Sequence, residues 1–159
     1  MLEAIIAIAA VVLDRLSKMW AVGSLSHMPG QHMDVLPGVF EFRYVQNEGM
    51  AFSLLEGKTW LFIVITVLIV ACLLGYLVKY RAVESVWTRI AIASIIGGAL
   101  GNLIDRLLYG YVIDFINPTF MRFAVFNVAD IFVTCGAILF IFALLILPQF
   151  YRKKERAHE

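Results

Sequence analysis

The stretch IIGGALGNLIDRLLYGYVIDFINPTFMRFAVFNVAD, residues 95–130, sets Asn102, Asp105, Arg106, Asp114, Asn127 and Asp130 in strongly apolar surroundings. Its first part ends one candidate membrane helix and its last residues open another. Between them, Gly110 to Ile116 alternates in the manner of a short strand, with Asp114 in its middle. Ionisable groups at or near a bilayer are expensive, so such a cluster is by default a functional-site hypothesis.

The composition agrees with that setting. Of 159 residues, 62% are hydrophobic, and the mean hydropathy of +0.86 belongs to a membrane protein rather than an ordinary soluble domain. The length suits one domain, expected over 1–159. A net charge of +1 creates no global field and argues against nucleic acid as a partner. Cys72 and Cys135 fall inside apolar runs at no metal-ligand spacing, and read as small hydrophobes.

Working outward, the apolar runs give four spans, at about 3–22, 59–78, 88–106 and 130–151. In the third, Ala93, Gly97 and Gly101 recur every four residues, a small-residue ladder that lets another helix approach closely. Ser94, Gly98, Asn102 and Arg106 form the adjacent row, which turns polar as the helix ends. Trp60 to Val78 carries no charge. The first span is interrupted by Asp14, Arg15 and Lys18. A cleaved signal peptide is the competing reading there, but Glu3 and the absence of Lys or Arg before Arg15 reverse the basic start such a peptide needs. Asp14, Ser17 and Lys18 share one helix face. They are either an ion pair that makes the face tolerable in lipid or part of a site, and both readings stand.

The loops 23–58 and 107–129 differ in character. Pro29-Gly30 and Pro37-Gly38 punctuate the first. Val39 to Gln46 then alternates, with Phe40, Phe42 and Tyr44 on one side and Glu41 and Arg43 on the other. Asn47, before Gly49, reads as a turn residue. Gly110 to Ile116 and Arg122 to Phe126 suit short strands that could join this one. The expected fold is therefore mainly α and integral to a membrane, with four transmembrane helices and a small extracytoplasmic β-sheet. The connection after span two and the C-terminal tail hold seven Lys or Arg (79, 81, 89, 152, 153, 154 and 156), while the other two loops hold only Arg43, Lys58 and Arg122. By the positive-inside rule both termini are cytoplasmic, and the polar cluster converges toward the outer face.

Each polar residue has a structural alternative. Asn127 and Asp130 resemble an N-cap and a first-turn acid, and Arg106 can snorkel to headgroups or pair with an acid. Together, two carboxylates held close tend to share a proton, one acting as base toward a water and the other as acid toward a leaving group. That chemistry needs no metal or cofactor. The outer loops offer no Cys nucleophile and no G-x-S-x-G elbow, and His27 and His32 are a weak metal signal. On residues alone a peptidase, a small transporter or proton pathway, and a non-catalytic scaffold all stay open, although no inverted repeat or half-helix pair supports a transporter.

Five blocks resolve the choice: Asp14-Arg-Leu-Ser-Lys18, Asn47-Glu-Gly-Met-Ala-Phe-Ser53, Gly97-Gly-Ala-Leu-Gly-Asn-Leu-Ile-Asp-Arg106, Val112-Ile-Asp-Phe115 and Phe126-Asn-Val-Ala-Asp130. They resemble, in order and over nearly the whole chain, those of the bacterial lipoprotein signal peptidase family, signal peptidase II. The resemblance implies an aspartic endopeptidase of the bacterial cytoplasmic membrane. It would cut a diacylglyceryl-modified prolipoprotein on the N-terminal side of its lipidated Cys. By motif, Asp114 and Asp130 would be the catalytic pair. Asn47, Asn102, Arg106 and Asn127 would line the site, with Asp14, Lys18 and Asp105 supporting. It further implies contact with membrane lipids, inhibition by the cyclic peptide globomycin, and outer-loop strands forming a cradle on the membrane surface; a monomer is expected.

The charge asymmetry is directly testable. Reporter fusions at His32 and Pro118 should read as outside, and fusions at Arg81 and after Arg152 as cytoplasmic. An outside signal at Arg81 would invert the map.

Overall fold

Four long helices carry the chain in the computed structural model, which describes residues 1–49 and 58–145. They are α1 (Leu2–Ser24), α2 (Thr59–Tyr80), α3 (Val86–Tyr109) and α4 (Val128–Leu145). Between them lie three strands, β1 (His32–Leu36), β2 (Phe40–Asn47) and β3 (Val112–Pro118). Residues 50–53 of the second motif block, the end of the fourth apolar run and the basic tail fall outside the described residues. Among those described, α2, α3 and α4 are long and apolar enough to cross a membrane.

Helix α3 is the centre of the bundle. Ten of its residues are buried, against three each in α2 and in the described part of α4. Its small residues explain why. A Cβ on Gly97 would lie 2.7 Å from Ala7 O and from Ala10 Cβ, and one on Gly101 would lie 2.6 Å from Asp14 Oδ2. Both therefore take α1 at close range. The neighbouring row faces α4 instead, where a Cβ on Gly98 would stand 2.4 Å from the Ala129 carbonyl oxygen. On the far side, Val70 and Leu77 of α2 pack against Ile92 and Ile96. The ladder read as one packing face is thus two adjacent rows serving two different helices.

The helix ends follow local rules. Ser85 caps α3, its side chain accepting from Thr88 N at 3.1 Å. Gly110 ends it at φ 84°, a left-handed conformation that suits glycine. That turn redirects the chain into β3 within two residues.

The sheet is antiparallel in the order β1-β2-β3. Phe115 packs with Ala21 and Leu25 at the end of α1, and Phe42 and Ile116 pack against the same cluster. Trp20 seals the contact, meeting the Phe42 ring edge-on at 5.0 Å. The expected strand at Val39 to Gln46 matches β2 closely. Strand β1 was not expected; its register sets Met33 opposite Phe42, so it extends the same apolar cluster. The expected strand at Arg122 to Phe126 does not form. Only Phe126 bridges Ile116, with N–H···O bonds of 2.8 and 3.0 Å, because the chain enters the cap of α4 at the next residue.

Helix α1 carries Glu3, Asp14, Arg15 and Lys18 over its 23 residues. Asp14 and Lys18 are fully buried, while Ile5, Ile8, Val12, Leu16 and Met19 are exposed. Its charges turn inward and its outer surface is apolar.

Glycine placement yields a contrast. Replacing Gly98 by Ala should destabilise the protein in detergent by about 1–3 kcal/mol, because a backbone oxygen of α4 must move. Replacing Gly75 by Ala in α2, where nothing lies within 4 Å, should be neutral or stabilise by up to about 1 kcal/mol. Thermal melts of the two purified variants check this; equal melting temperatures would mean that α3 and α4 are not in close contact at Gly98.

Candidate active site

Asp114 lies on β3 opposite Val45, two register steps from the Asn47–Val112 pair. The pleat puts Asn47 and Asp114 on one face, and the Asn47 amide Nδ2 donates to Asp114 Oδ2 at 2.8 Å. The same amide's Oδ1 accepts from Gly49 N at 3.0 Å, so Asn47 is both the turn residue and a site residue. Asp114 Oδ1 accepts from Asn127 Nδ2 at 2.6 Å.

Asn127 and Asp130 form the start of α4. Asp130 N donates to Asn127 Oδ1 at 3.0 Å, and Asn127 N donates back to Asp130 Oδ2 at 3.1 Å. This reciprocal capping box satisfies a donor at the helix start and the N–H of its cap residue. The neighbouring Ala129 N donates across the bundle to Asp14 Oδ1 at 3.0 Å. A carboxylate from α1 thus caps α4, and two acids stand at the positive end of its dipole.

Asn102 of α3 closes the arrangement. Its Nδ2 donates to Asp130 Oδ1 at 2.8 Å, while its Oδ1 accepts from Asn127 Nδ2 at 3.0 Å and from Lys18 Nζ at 2.9 Å. Lys18 Nζ also lies 2.8 Å from Asp14 Oδ2 and 2.8 Å from Asp105 Oδ2. Asp105 in turn pairs with Arg15 and accepts from Ile113 N at 3.2 Å, tying α3 to β3. Asp114 and Asp130 do not hydrogen-bond to each other; Asn127 stands between them and donates to both.

The two carboxylates face one cavity of about 560 Å³. Asn47, Gly49, Asn102 and Arg106 line its polar part, and Phe123, Val125, Phe126 and Ile131 supply apolar wall. Arg106 stands apart from the hydrogen-bonded chain. Its guanidinium lies 5.0 Å over the Phe62 ring and donates weakly to Gly49 O at 3.5 Å. Among the described residues it forms no ion pair, so of its two expected roles the acid pairing is not seen.

Burial dominates the charge state of Asp114, which is 2% exposed. Desolvation pushes its carboxyl up to about 7, and the negative charge of Asp130 adds to this, against the two amide donors and Lys18 that favour the anion. Near neutral pH Asp114 is poised to hold or release a proton.

All nine residues singled out in the sequence are accounted for. Eight of them (Asp14, Lys18, Asn47, Asn102, Asp105, Asp114, Asn127 and Asp130) join one continuous network, and Arg106 lines the same cavity. Arg15 was missed, although its place beside Asp14 and the need of buried Asp105 for a second cation could have pointed to it. Cys135, read as a small hydrophobe, lines the cavity with Thr134. Cys72 does not. His32 has neighbours other than His27: it shares the polar face of the sheet with Asp34 and Glu41, their potential ligand atoms within 4.8 Å of one another. Glu41 already accepts from Arg43 and Asn117, each at 2.6 Å, and the Arg43 guanidinium holds its carboxyl below the usual range.

Comparison with known proteins agrees with this geometry. A family model for signal peptidase (SPase) II matches residues 6–146. The lipoprotein signal peptidase of Streptococcus pyogenes serotype M2 (strain MGAS10270) is 44% identical over 140 residues, covering 86% of this chain and 88% of that one. That of serotype M5 (strain Manfredo) is 43% identical over the same shares. Among solved structures, a bacterial membrane enzyme superposes with a TM-score of 0.80 at 34% identity, over 90% of this chain and 87% of that one. A second bacterial membrane enzyme gives 0.78 at 33% identity, over 91% and 93%. With a family match over most of its length, and bacterial membrane enzymes of known structure sharing its fold, the chain belongs to the signal peptidase II family and is a peptidase.

Proposed function

We propose that this peptidase removes the signal peptide from prolipoproteins, cutting on the N-terminal side of a diacylglyceryl-modified Cys, with Asp114 and Asp130 as the catalytic pair. One observation carries the reading: the two carboxylates face a single cavity, each held by two N–H donors and both linked through Asn127. Among the described residues that line it no other is a comparable base, and its apolar wall suits a lipidated peptide.

The roles divide by environment. Asp130, partly exposed, is the base that takes a proton from the attacking water. Asp114, whose burial retains its proton to about pH 7, gives that proton to the carbonyl oxygen as the water oxygen bonds to carbon. Collapse of the resulting diol breaks the peptide bond while one of its hydroxyls returns a proton to Asp114. The signal peptide leaves as a carboxylic acid and the lipidated Cys leaves as an amine, which takes up the proton held by Asp130. Asn47, Asn102 and Asn127 orient the carboxylates, and Arg106 positions substrate along the cavity.

The chain is taken as one domain over 1–159 and as a monomer, a reading supported by the nine candidate site residues meeting within one copy. Four spans in a bacterial cytoplasmic membrane, with both termini inside and the sheet as an outer cradle against the lipid, fit the charge asymmetry of the loops. The inward-turned charges of α1 support its counting as the fourth span. Globomycin would occupy the same cavity.

Asp114→Asn and Asp130→Asn should each lower turnover about 10²–10⁴-fold, and the double variant little further, because residues that act as a unit are non-additive. Each new amide nitrogen must face an N–H donor, so a stability loss of about 1–3 kcal/mol should accompany the change. A cleavage assay on a lipidated precursor, with melts in parallel, measures both. An Asp130→Asn variant cleaving at the parent rate would reduce Asp130 to a helix cap.

The charge state of Asp114 sets a pH limb. Because its folded value is raised, the acid form needed for donation persists up to about pH 7 and is lost above it. The ratio kcat/KM should therefore fall about tenfold per pH unit well above that point. A profile flat to pH 9 would assign the donor role elsewhere.

A further inference from the structure

We infer, building on the reading of Asp114 and Asp130 as the catalytic pair, that Lys18 is a positioning residue which locks the Asn102 side-chain amide so that its nitrogen always faces Asp130. An ammonium has three N–H donors and no acceptor. Here it donates to the Asn102 oxygen at 2.9 Å and stands 2.8 Å from a carboxylate oxygen of each of Asp14 and Asp105, and the side chain is fully buried. Asn102 therefore cannot turn its amide over. In the reversed orientation its NH₂ would oppose both the ammonium and the Asn127 NH₂, which lies 3.0 Å from the Asn102 oxygen. With the amide held, Asn102 Nδ2 donates to Asp130 Oδ1 at 2.8 Å, and the helix cap holds Oδ2. The plane of the Asp130 carboxylate is thus fixed from α1, two hydrogen bonds away.

The charges around this relay are few. Asp114 of β3 and Arg106 of α3 line the cavity with Asp130. Behind Asn102, Lys18 and Arg15 of α1 face Asp105 of α3, and Lys18 also faces Asp14 on its own helix. The group behind Asn102 is neutral, two cations with two carboxylates. Removing Lys18 alone would leave buried carboxylate charge uncompensated and risk unfolding. Removing Asp14 and Lys18 charges together keeps the balance, and Asn at 14 can still accept from Ala129 N.

The test compares the parent with Asp14→Asn/Lys18→Met, Asn102→Ala, and the three changes combined. All are purified in detergent and assayed on a diacylglyceryl-modified precursor peptide. The double variant should melt near the parent and keep KM within about threefold, while kcat falls on the order of 10–100-fold. The triple variant should be no slower than Asn102→Ala alone, because Lys18 acts through that amide. Parental kcat in the double variant, a rise in KM that accounts for its loss, additive losses in the triple variant, or failure of the double variant to fold would each overturn the proposal. Asp130→Asn serves as the separate control: if it retains the parent rate, the catalytic pair itself is wrong, whatever Lys18 does.

Discussion

A lysine ammonium with no exposure to solvent, held among Asp14, Asp105 and Asn102, is the interaction on which the site depends. In a low-dielectric interior an unpaired ion would cost several kcal/mol, so Lys18 can exist there only with its acceptors in place. Two helices must come together to supply them. The approach is possible because Gly97 and Gly101 leave no side chain between α1 and α3. Packing and electrostatics are therefore one requirement: the glycines bring the backbones close, and the closeness lets the charges cancel.

The same economy governs the start of α4. A buried helix terminus leaves N–H groups that must find acceptors. Asn127 and Asp14 supply acceptors here, and Asp130 satisfies the cap residue's own N–H. A conventional cap would end there. Asn127 instead uses its remaining amide hydrogens on Asp114 and Asn102, so the terminus becomes the hub that joins both acids to the lysine. Stability and function share groups, which explains why the structural reading of Asn127 and Asp130 as a helix cap was correct and still incomplete.

Peptide hydrolysis by carboxylates calls for two acids in different protonation states. Here two identical side chains stand in unlike surroundings. Asp114 is enclosed by the sheet and α4, where desolvation outweighs two amide donors. Asp130 sits at a helix start with part of its surface open to the cavity. Arg106, over Phe62 and near Gly49, holds positive charge at the wall without quenching either acid by a direct pair.

The long apolar runs, the glycine ladder, the Asn127–Asp130 cap and the five motif blocks were legible in the sequence because each depends on local spacing or on residue types met in order. Hence the helices α1 to α4, strands β2 and β3, and the nine residues that meet in the network and its cavity could be named beforehand. Strand β1 could not, since its residues His32 to Leu36 alternate weakly and become a strand only by pairing with β2. The failed strand at 122–126 has the converse cause: its residues suit a strand, but the cap of α4 takes over the chain. Nor could spacing alone decide whether Asp14 and Lys18 were a lipid-tolerant ion pair or part of the site, because that depended on what α3 would present to them. The tertiary structure joins them to the network by setting Asn102 and Asp105 against the ammonium, a juxtaposition of groups more than eighty residues apart that no local pattern encodes.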